Sequence, residues 1–409
     1  MTKPLLVSAT LPGEPSESSH GVFRRLDMFA DAMKMASDSF NALFYVPDRI
    51  DTGPENTRKV EGILRKRWNT EVEVILSRRS NVPPPNNIWE RYLYPATGFH
   101  RIPDYRETSG EKQVEALELL LDRDPSYIFV HRLKCMPPLL LTTRNVPPVF
   151  FDLDDIEHVA FRRSIGMPPQ WGSKRLMHLQ VPALIAGEKR SLELATKTFV
   201  CSASDKIFLG KFSEADRIEV IPNAVGIPAP SPLSASRRLL IIGQYKYAPN
   251  RIGVEFFLDE VWPYIISSTP DAVLVVAGPG SESIRHFAHP PPGVEFAGFV
   301  DDLDALYHSI RLVICPVLSG GGTRIKLIEA AAYAKPIVST SIGAEGLNLQ
   351  DATHILLRDD PKGMADSCIT LLEDNILAAR LGEAARKLAE ENFERSAVVT
   401  KIAQMFPSG

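Results

Sequence analysis

The chain has 409 residues, of which 44% are hydrophobic and 23% are charged, and its net charge is −4. Single hydrophobic cores stop growing at roughly 250–300 residues, so we expect two domains. The composition is that of a globular protein, and the slightly negative charge argues against a general nucleic-acid binder.

The cysteines and the N-terminal residues indicate the cellular compartment in which we expect the protein. Four cysteines are widely spaced and form no CxxC pair: Cys135, Cys201, Cys315 and Cys368. We therefore expect neither a metal site nor disulfides, and a reducing cytoplasm fits best. The first residues lack the apolar stretch of a signal peptide. No run approaches the roughly 20 apolar residues of a membrane-spanning helix.

Strands and helices alternate in the first half of the chain. Apolar runs predict strands at 4–9, 41–46, 127–130, 150–153, 199–202 and 218–221. Helical spacing of apolar residues predicts helices at 22–35, 111–121 and 174–195. Gly21 lies where the first helix begins, and His131 follows a strand. Doubly wound sheets bind ligands at the carboxyl ends of their strands.

Residues 51–110 are the least regular part of the sequence. They contain a basic helix predicted at 57–69, a run of prolines and an aromatic stretch at 89–105. Basic and aromatic residues together are typical of contact with a membrane surface, or of an acceptor-binding lobe. A solvated helix followed by an irregular insertion is the other interpretation, and the residues alone do not separate the two.

The second half restarts the alternation after a linker predicted at 226–236. Strands are predicted at 239–243, 272–277, 294–296, 312–316 and 337–339. Helices are predicted at 253–266, 303–309, 323–333 and over most of 361–406. Two halves of alternating strands and helices imply an α/β protein with two doubly wound domains.

A glycine loop at 320–322 separates a predicted strand from a predicted helix. Such a loop turns backbone N–H groups inward, and the following helix N-terminus carries partial positive charge. We place Arg324 and Lys326 on the first turn of that helix, where cations oppose the helix dipole. This arrangement predicts an anionic ligand, and Glu329 lies at a spacing suited to hydroxyl groups attached to that anion.

Four stretches resemble the retaining GT-B glycosyltransferases of family four. They are FVCSASDK at 199–206, VIPNAV at 220–225, GQYKYAPNRIGVEFF at 243–257 and GGGTRIKLIEAAAYAKPIVST at 320–340. The last stretch is similar to the GGTRxK motif of a bacterial polysaccharide-type subgroup. The resemblance extends over most of residues 120–400 and is weak over 51–110.

The resemblance implies two Rossmann-like domains with an interdomain cleft. The expected parts are an acceptor-side domain at 1–225, the linker at 226–236, a donor-binding domain at 237–390, and a C-terminal helix at 391–409 that packs back toward the first domain. The implied activity is transfer of a sugar from a nucleotide-diphosphate sugar to a hydroxyl of a saccharide or glycolipid. Neither a metal nor another cofactor is expected. Peripheral contact with the inner face of the membrane would involve the first domain.

The resemblance also assigns roles to individual residues. The glycine loop with Arg324 and Lys326 would hold the diphosphate, Glu329 the ribose, and the backbone after residue 298 the base. His131 would contact the sugar near its reacting carbon. The implied catalytic residues are His131, Arg324 and Lys326. The implied donor-binding residues are Gly21, Lys246, Asn250, Phe299, Val300, Gly320, Gly321, Gly322, Thr323 and Glu329.

Three positions depart from the family pattern. Gly321 stands where the first acid of the E-x7-E pair is usual, while Ala224 and Ala334 replace glycines. Two other functions therefore stay open. One is a nucleotide-sugar epimerase or hydrolase of the same fold, since a fold does not determine a function. The other is a non-catalytic protein that binds nucleotide sugars.

Overall fold

The computed structural model describes residues 2–13, 21–229 and 233–407, which form two compact units. The first unit comprises Met1–Ile221 and Val399–Gly409, and the second comprises Pro222–Val398. Among the described residues, no helix is both long and apolar enough to span a bilayer.

The first unit is built on a parallel sheet whose strand order is β3-β2-β1-β4-β5-β6-β7. Its strands are β1 Leu5–Ser8, β2 Ser39–Val46, β3 Glu71–Arg78, β4 Ile128–His131, β5 Val149–Asp154, β6 Lys197–Val200 and β7 Ile218–Val220. The central strands are almost continuously apolar because both faces of a parallel sheet are covered. The register places Ser8 beside His131 and His131 beside Asp152.

Helices of the first unit follow the strands in turn. They are α1 Gly21–Ala36, α2 Pro54–Trp68, α3 Tyr94–Ala96, α4 Pro103–Arg106, α5 Glu111–Leu121, α6 Pro137–Leu141, α7 Glu157–Ile165, α8 Val181–Leu194 and α9 Ala203–Leu209. A π turn, Trp89–Leu93, precedes α3, and a 3₁₀ segment, Lys174–Gln180, precedes α8. The remaining 3₁₀ turns are Phe99–Arg101, Leu133–Cys135 and Ala215–Arg217.

An aromatic cluster ties the last residues of the chain into the first unit. Phe406 is 4% exposed, and its ring stacks on Tyr127 at a centroid distance of 5.0 Å. The edge of the same ring meets Phe150 at 5.1 Å and Phe199 at 6.4 Å. Such aromatic pairs contribute about 0.5–1.5 kcal/mol each beyond the burial of their surface.

The second unit is a parallel sheet of order β10-β9-β8-β11-β12-β13. Its strands are β8 Arg238–Ile242, β9 Val273–Ala277, β10 Val294–Gly298, β11 Leu312–Cys315, β12 Ile337–Ser339 and β13 Leu356–Leu357. Its helices are α10 Ala248–Phe256, α11 Trp262–Ser268, α12 Leu303–Ser309, α13 Ile325–Ala332, α14 Pro361–Glu373 and α15 Asn375–Asn392. A π turn, Phe257–Val261, joins α10 to α11, Ser281–Ser283 is a 3₁₀ turn, and α16 Arg395–Ala403 follows α15. Alternate residues of β8 enter the two hydrophobic clusters on opposite faces of the sheet.

The two predicted doubly wound sheets are confirmed, and several elements differ from the sequence prediction, among them the following three. β3 was not predicted; it lies in the region that we described as least regular. The helix expected from residue 253 begins at Ala248, because Pro249 is suited to a first helical turn. The helix expected from Thr323 begins at Ile325, since the backbone of Arg324 is extended at φ −90° and ψ 98°.

Candidate active site

The second sheet has its topological switch point between β8 and β11, where doubly wound sheets bind ligands. The loops that follow β8 and β9 approach each other closely there. Gly278 has φ +122°, and a Cβ at this position would lie 1.9 Å from the carbonyl oxygen of Gly243. Only glycine permits this contact, so the backbones after β8 and β9 lie directly against each other at the switch point.

Two side chains pack against the glycine loop after β11. Gly320 has φ +111° and Gly322 has φ +67°, both in the region that favours glycine. A Cβ on Gly320 would lie 2.9 Å from Arg324 Nη2 and 3.1 Å from the hydroxyl oxygen of Tyr247. Two of the three loop glycines therefore have positive φ, and Gly320 lies against Arg324 and against Tyr247 from the loop after β8.

Arg324 caps the loop instead of lying on the first helical turn. Its guanidinium donates from Nη1 to the carbonyl of Gly321 and from Nη2 to the carbonyl of Ser319, the latter at 3.2 Å. This corrects our placement of Arg324 within the helix. The cation thus stabilises two loop carbonyls and holds positive charge next to the loop.

Lys326 lies on the first turn of α13, and its ammonium group is already oriented. Nζ donates to Asn250 Oδ1 at 2.8 Å, and Asn250 Nδ2 donates to the carbonyl of Gln244 at 3.0 Å. A Cβ on Gly243 would lie 3.0 Å from Nζ, so a glycine is needed there. Burial lowers the pKa of Lys326, and the nearby charge of Arg324 adds to this effect.

Thr323 is held by a residue from the VIPNAV stretch. Asn223, which is buried, donates from Nδ2 to Thr323 Oγ1 at 2.9 Å. The sequence analysis used that stretch only as part of the family resemblance. It missed this contact, since the two residues are far apart in the chain. Glu329 lies half-buried in α13, one helical turn beyond Lys326.

The remaining predicted donor residues are spread over three places. Lys246 is exposed in the loop after β8, beside Gly280, where a Cβ would lie 3.0 Å from Lys246 Cγ. Phe299 and Val300 directly follow β10, and the Phe299 ring is 47% exposed. Gly21 is the first residue of α1 and belongs to the first unit.

His131 ends β4 in the first unit and is 1% exposed. Its Nδ1 lies 2.9 Å from the hydroxyl oxygen of Ser8 at the end of the neighbouring strand β1. Its Nε2 has no hydrogen-bond partner among the described residues. Burial, reinforced by the charge of Arg132, lowers the pKa of His131 to about 3. The imidazole is therefore neutral at physiological pH, and its Nε2 is buried without a hydrogen-bond partner among the described residues.

A buried ionic cluster that sequence reasoning missed lies beside His131. Arg25 of α1 is 1% exposed and donates from Nε and Nη2 to Asp152, at distances of 2.6 to 3.0 Å. Arg25 Nη1 donates to the carbonyl of Ile221 at 3.0 Å. Arg132 pairs with Asp154, and both have positive φ, +69° and +62°. Both aspartates are therefore bound by arginines.

Within the described ranges no group of three or more His, Cys, Asp or Glu residues is arranged to hold a metal ion.

Comparisons with known proteins show what the chain is similar to. Residues 236–374 match the family model described as glycosyl transferases group 1. A phosphatidyl-myo-inositol mannosyltransferase of Mycolicibacterium smegmatis is 31% identical over 208 residues, which are 47% of this chain and 52% of that protein. An uncharacterised 44.6 kDa protein in the cps region of Klebsiella pneumoniae is 23% identical over 172 residues, 40% of this chain and 44% of that protein. The chain thus spans about half the length of these curated relatives.

Solved structures match over almost the whole chain. Sucrose-phosphate synthase from Thermosynechococcus elongatus has a TM-score of 0.69 at 16% identity, covering 98% of both chains. HepE of Anabaena, solved with UDP and glucose, has a TM-score of 0.63 at 15% identity over 99% of both chains. At this identity the match establishes the fold, which is GT-B. The segment that matches the group 1 model lies in the second unit and includes the loop after β11.

Proposed function

We propose that this protein is a glycosyltransferase that moves a sugar from a nucleotide-diphosphate sugar to an acceptor hydroxyl, with retention of configuration. The observation that carries the proposal is the pairing of a positive-φ glycine loop with two oriented cations, Arg324 and Lys326, inside a segment that matches group 1 glycosyl transferases. We propose a saccharide or glycolipid acceptor and a role in making cell-surface polysaccharide, lipopolysaccharide or another glycoconjugate. We also propose a cytoplasmic location with peripheral membrane contact.

The chemistry follows from where negative charge develops. When the bond between the sugar carbon and the diphosphate breaks, the diphosphate leaves with the electron pair, the acceptor oxygen bonds to that carbon, and the proton of the acceptor hydroxyl passes to the leaving diphosphate. Preorganised cations and N–H groups stabilise such charge most when they need no rearrangement. Lys326 is held by Asn250 on the first turn of α13, where the helix N-terminus adds partial positive charge. We propose that this charge serves in place of a metal ion.

The proposal is tested by following nucleotide release from a panel of UDP-, GDP- and ADP-sugars selected by thermal shift. We expect one donor to stabilise the protein and to release its nucleotide faster when an acceptor extract is added, with no loss of rate in EDTA. Conversion of the donor to another sugar without acceptor would instead support an epimerase. Binding without any transfer or hydrolysis would support a non-catalytic protein, which the absence of an acid at Gly321 keeps open.

Glu329→Gln is expected to weaken nucleotide binding about tenfold, because one charged acceptor for ribose hydroxyls is lost. Isothermal titration with UDP, 2′-deoxy-UDP and GDP measures the effect. If the carboxylate binds the ribose, the variant should discriminate less between UDP and 2′-deoxy-UDP than the wild-type protein does. Unchanged affinity for both UDP and GDP would exclude Glu329 from the ribose site.

His131→Ala is expected to lower turnover at least a hundredfold while changing donor affinity by less than about threefold, since we propose that the imidazole contacts the sugar only during transfer. The wild-type rate profile should show no break from this group between pH 5 and 8, because its pKa of about 3 keeps it neutral there. The variant Ser8→Ala, which removes only the partner of Nδ1, is the control and should lose less activity. Full turnover in His131→Ala, at wild-type thermal stability, would reject the role.

A further inference from the structure

Two of the four tryptophans lie at the surface of the first unit. Trp68 and Trp262 are buried, whereas Trp89 is 56% exposed and Trp171 is 41% exposed. Tryptophan is costly to leave in water, so two exposed rings close together call for a partner.

The two exposed rings belong to segments that pack side by side. Tyr92 lies between them and is buried; its hydroxyl accepts from Trp171 Nε1 at 2.9 Å and is 2.8 Å from the hydroxyl oxygen of Ser173. Gln180 Nε2 donates to the carbonyl of Arg91 at 2.9 Å. Trp171 and Ser173 directly precede the 3₁₀ segment at Lys174–Gln180, so these contacts hold that segment and its start against the π turn at Trp89–Leu93, and the two segments pack side by side.

The outer residues of these segments are large and apolar. We call this the tryptophan surface; it consists of Ile88, Trp89, Leu93, Trp171, Leu176, Leu179 and Ile185, which are all exposed. Single exposed apolar residues are normal on a protein, but a group of this kind marks an interaction site.

The charges around the tryptophan surface are mostly positive. Among the described residues, no carboxylate pairs with Arg91, Arg175, Lys189 or Arg190. Lys189 lies one helical turn from Ile185 on α8. The acid within this surface, Glu90, accepts a hydrogen bond from the backbone N–H of Asn86 at 2.9 Å. The unpaired positive charges favour an anionic partner.

The basic helix α2, which the sequence suggested as a membrane contact, is different. Arg67 pairs with Asp27 at 2.6 Å and Arg65 pairs with Glu61 at 2.7 Å, so acids neutralise part of its charge. Its large apolar residues Val60, Leu64 and Trp68 are buried in the unit. The helix α2 therefore fits the other interpretation given for residues 51–110, in which it is a solvated helix.

We propose that the tryptophan surface lies on the anionic surface of a lipid bilayer, with the rings of Trp89 and Trp171 at the level of the headgroups and the arginines and lysine beside the lipid phosphates. Exposed aromatic and aliphatic residues flanked by cations are the combination that binds membrane interfaces. A second copy of this chain is a poorer partner, because a twofold contact would bring the same unpaired cations together.

The test is co-sedimentation of the full chain with vesicles of two compositions. One is phosphatidylcholine alone, and the other is phosphatidylcholine with about 30% phosphatidylglycerol. Binding is expected only to the anionic vesicles, falling as salt is raised. Arg175→Gln with Lys189→Gln should weaken it about tenfold or more, since each cation near the surface contributes about fivefold. Trp89→Ser with Leu179→Ser should weaken binding at every salt concentration.

The control variant is Tyr264→Ser with Ile376→Ser, two residues of the second unit that are 53% and 83% exposed. It should bind vesicles like the wild-type protein. All variants should keep wild-type nucleotide affinity, which separates this proposal from the proposed function. Equal binding to neutral vesicles, no binding to anionic ones, or a change of oligomeric state in Trp89→Ser with Leu179→Ser would overturn the proposal.

Discussion

Lys326→Met should reduce affinity for the nucleoside diphosphate about 30- to 150-fold. This range corresponds to the loss of roughly 2–3 kcal/mol from one charge-assisted contact in a buried setting. The ammonium group is oriented by Asn250 and lies on a helical turn where the dipole opposes a cation. Titration of the purified variant with UDP and GDP measures the change. Affinity equal to that of the wild-type protein would remove Lys326 from the diphosphate site.

The same variant should be at least as stable as the wild-type protein when no nucleotide is present. Burial lowers the pKa of Lys326, so its charge is disfavoured in the folded state, and replacing a buried ion by an apolar group is often neutral or stabilising. A thermal melt without ligand tests this. Lys335→Met is the matched control: Lys335 is 1% exposed near the other end of α13, and burial lowers its pKa to about 8. Its nucleotide affinity should not change.

Arg25→Leu is expected to destabilise the first unit by about 3–5 kcal/mol, which is typical when one partner of a buried ion pair is removed. Asp152 is fully buried, and the variant would leave its carboxylate without the two-pronged contact from Arg25. Urea denaturation followed by circular dichroism measures the loss. A wild-type midpoint for Arg25→Leu would show that the pair contributes little.

Two further measurements separate a lost ion pair from a general packing defect. The double variant Arg25→Leu with Asp152→Leu removes the unpaired charge and should regain much of the stability. Burial already raises the pKa of Asp152 to about 6, and Arg25→Leu would raise it further, because the cation that lowers it is lost. The folded state then binds more protons than the unfolded state, so the deficit should shrink as the pH falls from 8 to 5.

The sequence predicted the buried strands well, because parallel strands covered on both faces are continuous apolar runs. The predicted strand at 337–339 and helix at 111–121 coincide with β12 and α5. β3 was not predicted because it is an edge strand whose buried residues lie only at alternate positions. Its acidic residues also made it resemble a loop.

Long-range polar contacts could not be predicted from spacing. Arg25 and Asp152 are separated by 127 positions, and Asn223 and Thr323 by 100. The motif placed Lys326 correctly on the first turn of α13, but no sequence pattern showed that Arg324 would precede the helix and turn back to the loop carbonyls. The register of β1 with β4, which unites Ser8 and His131, likewise depends on the whole sheet.

The packing of Phe406 has a consequence for how the polypeptide is made. The ring completes an aromatic cluster in the first unit, yet it is encoded after the whole of the second unit. A nascent chain emerging from the ribosome therefore keeps Tyr127 and Phe150 uncovered until Phe406 has been synthesised and released from the ribosomal tunnel. The first unit begins to fold first and is completed after the second unit has been made, so a ribosome that stalls before Phe406 would hold a chain whose first core is still open.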